Sequence, residues 1–191
     1  MRSKAKKLPV ILSDMELKKL IEIPNKRYYT GQRNKAMIIA MANLGLRVSE
    51  VVNLKAKNID LTNRKLRVVN GKYARDRDLI IGPGTAEALK AWNQRRRKGE
   101  YFFNTIKGQQ LQTRYVQAMI ERYAKRAAID KTVTPHTLRH TFATNFYRQT
   151  KDIETLRSLL GHSDISTTQI YVTLANLDIE EAMNSFREIV A

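Results

Sequence analysis

TPHTLRHTFATNFYRQTKDIETLRSLLGHSDISTTQIY, residues 134–171, decides how the whole chain is read. Pro135 follows Thr134, a pairing that suits the first helical position and its capping oxygen, so a helix starts here. His136 and Arg139 lie three apart near that start and leave the same face, at a helix end that favours anions. An apolar helix with Ile153, Leu156, Leu159 and Leu160 then stops at Gly161, His162 follows in the turn, and Tyr171 comes nine residues later on the next helical segment. One short piece of chain thus brings together imidazole, guanidinium and phenol. These groups are acid/base, phosphate-binding and nucleophilic, the set that phosphoryl transfer to a protein oxygen requires.

Working outward, Gly45-Leu46-Arg47-Val48-Ser49-Glu50 supplies a second arginine between two helical patterns, and Lys72 falls in a turn about 25 residues after it. HTLRHTFAT, LLGH and TTQIY at this spacing, with the GLRVSE box and Lys72 upstream, resemble the tyrosine recombinases of the lambda-integrase family of site-specific DNA recombinases. The likeness runs from Leu12 onward. Single HxxR or LGH matches would be weak, whereas all six polar positions stand here in order: Arg47, Lys72, His136, Arg139, His162 and Tyr171. The resemblance implies a DNA breaking-rejoining catalytic domain, mainly α with a small three-stranded antiparallel β-sheet. One departure falls in the hairpin, where the family's Gly-Lys-Gly-x-Lys-x-Arg is Gly71-Lys72-Tyr73-Ala74-Arg75-Asp76-Arg77, with tyrosine at the second glycine.

Composition sets the partner class. The 191 residues suffice for one substantial core. Thirty-five Lys and Arg against 18 Asp and Glu give a net charge of +17, which points to a polyanion and most simply to nucleic acid. Without cysteine, disulfides and thiolate metal sites are excluded. The apolar run Leu8–Leu12 is too short for a signal-peptide core, and Ala36–Leu46, interrupted by Asn43 and Gly45, falls short of a membrane span. The expected location is the cytoplasm, at the nucleoid.

Along the chain, residues 1–11 read as a basic tail and residues 12–177 as the catalytic domain. Ser13-Asp14-Met15-Glu16 is a capping box that opens a helix to about Ile23. Tyr28–Gln32 reads as a loop, and Asn34–Leu44 as a central core helix, apolar around much of its circumference, that Gly45 stops. A helix over Val48–Leu54 follows. Alternation over Ile59–Ile81 gives three strands, with Lys72 in the second turn after Asn70-Gly71. A helix runs from Pro83-Gly84-Thr85 to Arg95, residues 100–110 form a loop or short extended segment, and Thr113–Ala128 is an amphipathic helix. Arg114, Arg122 and Lys125 on that helix, with Arg75 and Arg77 on the hairpin, are the candidate DNA contacts. Asp178–Val190 carries an apolar stripe at helical spacing.

In the mechanism these residues suggest, Arg47 and Arg139 clamp the non-bridging oxygens of a phosphodiester as planar forks of donors, with His162 and His136 adding hydrogen bonds. Tyr171 is the nucleophile and His136 the expected acceptor of its proton. Glu50 orients a catalytic side chain or serves as a salt-bridge partner. The resemblance further implies a 3'-phosphotyrosyl intermediate, protonation of the leaving 5'-hydroxyl by Lys72, and reversal without cofactor, ATP or metal. It also implies double-stranded DNA carrying specific recombination sites as partner, a tetramer on DNA built from free monomers, and docking of the 178–191 helix onto a neighbouring protomer. Two other classes share part of the pattern. A helix-turn-helix regulator would share the charge and the helices around Gly161 but has no use for the six polar residues. A type IB topoisomerase uses nearly the same chemistry without recombination. A metal-dependent nuclease would need an acidic cluster, and none has ligand spacing. Family members usually carry a helical DNA-binding domain ahead of the catalytic one, so the chain is read either as a catalytic fragment or as a minimal recombinase.

Overall fold

In the computed structural model, residues 8–69, 76–161 and 168–176 are described. Lys72, Arg75 and His162, together with the helix expected over residues 178–191, lie outside them. The element order is α1 (Asp14–Glu22), α2 (Tyr29–Leu44), α3 (Val48–Asn53), a 3-10 turn at Ala56–Asn58, β1 (Ile59–Asp60), β2 (Lys65–Val68), β3 (Arg77–Ile80), α4 (Pro83–Arg95), α5 (Thr113–Arg126), α6 (Pro135–Thr150) and α7 (Ile153–Leu160). Residues 168–176 are again helical. The three strands form one antiparallel sheet in the order β1-β2-β3, with Leu66 opposite Leu79 and Val68 opposite Arg77. This is the mainly helical fold with a small sheet that the sequence pattern predicts.

Helix α2 is the axis of the molecule, packed against α4 on one side and α6 on another. Its residues Ala36, Met37, Ile38, Ala40 and Met41 are all within 1% of complete burial, because a helix surrounded by neighbours must be apolar all round. It starts at Tyr29, five residues before the expected Asn34, so Tyr28–Gln32 is mostly helix rather than loop. The first turns carry Gly31, Arg33 and Asn34, which look polar in sequence yet are buried. Their partners come from distant segments: Arg33 donates to the Asn104 carbonyl at 3.0 Å and to the Tyr115 hydroxyl, and Asn34 donates to the Tyr123 hydroxyl at 3.0 Å.

A second, smaller apolar cluster joins Ala143, Leu156, Leu160, Tyr171 and Leu174, with Ile11, Phe142 and Phe146 packed against it. The chain is tied down from Ile11 onward. The Leu12 amide donates to Thr141 Oγ1 at 2.9 Å, and Lys131 Nζ donates to the Ile11 carbonyl at 3.2 Å. Among the described residues no helix is long and apolar enough to cross a membrane.

Candidate active site

Two helix ends build the site. Gly45 closes α2 and Gly161 closes α7, both in the left-handed conformation, at φ 62° and φ 61°, which glycine adopts without steric cost. A Cβ on Gly45 would lie 2.5 Å from Phe142 of α6, so the close approach of α2 to α6 also needs glycine. The carbonyls left unpaired at these C-termini carry the negative end of each helix dipole and need donors. Arg139 of α6 supplies them, donating from Nη1 to the Gly45 carbonyl at 2.6 Å and from Nη2 to the Leu160 carbonyl at 2.7 Å. Arg77 of β3 donates from Nε to the Leu159 carbonyl at 2.6 Å. Backbone carbonyls thus help to fix both guanidinium planes.

Glu50 is the counterion. Arg77 grips its carboxylate with both forks, Nη1 to Oε1 at 2.8 Å and Nη2 to Oε2 at 2.9 Å. Arg47, the residue before α3, adds its backbone amide at 2.8 Å and Nη1 at 3.0 Å. Burial alone would raise the Glu50 carboxyl, but the bonds and charge of Arg77, the Arg47 amide and the charge of Arg139 prevail and hold it below its ordinary value. Among the described residues, three guanidiniums thus surround one carboxylate. The pKa of Arg139 is lowered to about 10, first by burial and then by the charge of Arg47. It stays protonated at neutral pH.

Arg47 is the accessible member, its side chain 32% exposed. Tyr171 is buried at 2% exposure, and its phenol is raised by desolvation against the opposing charges of Arg139 and Arg47, so it lies within their field as a neutral group. Its hydroxyl is 3.0 Å from Nδ1 of His140. His140 is held below its ordinary pKa by burial and by the charges of His136 and Arg139. His136, one turn earlier on α6, is exposed, with its ring centroid 6.4 Å from that of His140.

The structure brings Arg47, Glu50, Arg139 and Tyr171 together, whereas Arg77 and His136 stand apart from the positions expected of them. Arg77 stands among the expected DNA contacts on the hairpin, yet its guanidinium is buried against Glu50 and α7 and is not available to a surface. The period-2 pattern of the strand carried the signal, since Val68 and Leu79 face inward and Arg77 opposes Val68. The imidazole at the Tyr171 hydroxyl belongs to His140 rather than His136. His140 stands in the same motif, and only the i, i+4 geometry of α6 could have marked it as the deeper of the two. Arg114, Arg122 and Lys125 lie exposed along α5, where Lys125 pairs with Glu121 at 2.8 Å.

Comparison with known proteins bears on the family and the fold. The model described as the phage integrase family matches residues 11–177. Tyrosine recombinase XerD of Staphylococcus aureus is 34% identical over 188 residues, covering 95% of this chain and 63% of the relative. XerD of Ralstonia nicotianae is 36% identical over 176 residues, covering 88% and 57%. The chain thus spans less than two thirds of the length of these relatives. Among solved structures, XerA recombinase superposes with a TM-score of 0.83 at 34% identity, covering 96% of this chain and 68% of that one. XerH, solved with its palindromic difH substrate after cleavage, gives 0.82 at 29% identity, covering 98% and 56%.

Proposed function

Because the chain belongs to the phage integrase family, we propose that it cleaves and rejoins double-stranded DNA at specific sites through a covalent phosphotyrosine at Tyr171. The observation that carries this reading is the excess of guanidinium over carboxylate beside a buried phenol. A structural ion-pair network tends toward neutrality, because each uncompensated buried charge costs several kcal/mol. Among the described residues three arginines share one glutamate, a positive site that suits a phosphodiester. Arg47 and Arg139 bind the non-bridging oxygens, Glu50 and Arg77 hold the arginines in register, and His136 and His162 add donors as charge builds. Tyr171 Oη forms the bond to phosphorus, the bond to the 5'-oxygen breaks, and Lys72 protonates the leaving oxygen. The free energy of the broken ester is kept in the phosphotyrosine, so a 5'-hydroxyl of a second strand reverses the step without ATP or metal.

Exchange requires two cleaved duplexes held side by side. The working form is accordingly a homotetramer on DNA assembled from monomers, acting in the cytoplasm at the nucleoid. The test incubates the protein in EDTA with a nicked palindromic duplex, selected from a random pool for binding to this protein, and denatures the mixture. A protein–DNA adduct is expected from the wild type and none from Tyr171→Phe, with half-site binding kept. An adduct that persists in Tyr171→Phe would move the nucleophile elsewhere, with Tyr147 and Tyr123 the next to test.

A further inference from the structure

The fate of the phenolic proton is left open by the arginine cluster, since guanidinium groups cannot accept it. We infer that His140 is the general base, taking the proton from Tyr171 Oη onto Nδ1 as that oxygen attacks phosphorus. This rests on the transesterification reading above. It begins from position: the Tyr171 hydroxyl and His140 Nδ1 are 3.0 Å apart, within the reach that proton transfer needs. Their ring centroids are 5.7 Å apart. Among the described residues, this is the hydrogen-bond partner of that hydroxyl.

The protonation states fit. Desolvation keeps Tyr171 from ionising in advance, so the proton must leave during attack. Burial, with the charges of His136 and Arg139, keeps His140 neutral at physiological pH, so a lone pair is available. A neutral phenol beside a neutral imidazole donates to it, which makes Nδ1 the acceptor and puts the ring hydrogen on Nε2. As the O–P bond forms, the phenolic O–H bond breaks and imidazolium results. The bond from phosphorus to the 5'-oxygen breaks in the same step, its electrons leaving with an oxygen that Lys72 protonates. In rejoining, a 5'-hydroxyl displaces the tyrosine oxygen, and His140 returns its proton. The same residue is thus base in one direction and acid in the other. Arg139, the neighbour of His140 in sequence, acts on the Tyr171 phenol through its charge, so one turn of α6 supplies both a clamp residue and the base.

Two substitutions separate proton transfer from mere holding of the ring. His140→Ala removes the acceptor. His140→Asn keeps an amide oxygen close to the place of Nδ1, able to accept a hydrogen bond but not a proton. The probe is the selected nicked duplex used above, and the readouts are its dissociation constant and the single-turnover rate of adduct formation. Both variants are expected to bind within about threefold of the wild type and to cleave about 10²- to 10⁴-fold more slowly, the range for a general base. Matching DNA affinity and melting temperature in His140→Asn show that the fold is intact. Cleavage by His140→Asn near the wild-type rate would overturn the inference and reduce His140 to a positioning residue. Cleavage by His140→Ala at or above that rate would also overturn it, leaving the bond as a latch on the phenol. A wild type that forms no adduct would fail the transesterification reading itself. A wild-type adduct that His140 variants match would fail this inference alone.

Discussion

Helix α2 has a buried arginine network at each end, about 24 Å apart by the rise of its 16 residues, and the two are built on opposite principles. At the start, Arg33 is 2% exposed and faces neutral groups: Asn34 Oδ1, the Asn104 carbonyl and the Tyr115 hydroxyl, with its guanidinium 4.9 Å from the Tyr115 ring centroid. One cation is dispersed over dipoles and a π face. At the finish, Arg47, Arg77 and Arg139 crowd one carboxylate and the carbonyls of two helix ends. The first network is closed, with its donors spent on groups already in the protein. The second holds more positive charge than the described residues neutralise. A buried arginine is thus no sign of function by itself; the charge balance around it is.

The sharpest way to break this contrast is at the nucleophile, where Tyr171→Phe should abolish the covalent adduct at the charged end while leaving half-site binding intact. Next comes Arg139→Lys. An ammonium cannot hold the Gly45 and Leu160 carbonyls and a phosphate together, so single-turnover cleavage should fall by about 10²-fold or more. Near-normal cleavage would return Arg139 to the role of Arg33.

Stability tests come after catalysis. Glu50→Gln leaves the guanidiniums without their buried counterion and should cost about 3–5 kcal/mol in urea unfolding. The Glu50 carboxyl titrates lower in the folded protein than in the unfolded chain. Its contribution is therefore fully present above its ordinary value of 4.5 and lost as pH falls through the folded value. Melting temperatures of wild type and Glu50→Gln should accordingly converge in acid; a gap that stays constant from neutral to acid pH would show that the charge is not what matters. Arg33→Met should cost about 1–3 kcal/mol for each partner left unsatisfied and leave cleavage unchanged at a permissive temperature. A selective loss of cleavage would tie the two ends together.

The smallest effect is expected on the exposed face of α5. Arg122→Ala should weaken half-site binding uniformly across sequences and reduce the salt slope by about one, as loss of a single phosphate contact does. An unchanged slope would leave that face out of the DNA track.

Much of this was legible in the sequence because it rests on local rules. The capping box at Ser13, the capping oxygen of Thr134, the helix-ending glycines 45 and 161, and the alternation through Leu66 and Leu79 each depend on a few adjacent residues. Motif spacing alone selected Arg47, Arg139 and Tyr171. What required tertiary structure was the assignment of partners. Nothing near Arg33 in sequence shows that Asn104 and Tyr115, more than 70 residues away, allow a charge inside the first turns of α2. Alternation along β3 marks the inward face of Arg77, but nothing near it in sequence names Glu50, 27 residues away, as its partner. The choice between His136 and His140 turns on one helical step of depth against Tyr171, 31 residues from His140. Periodicity sets which face a side chain leaves, whereas the free energy of a buried charge is set by whatever distant chain the fold packs against it.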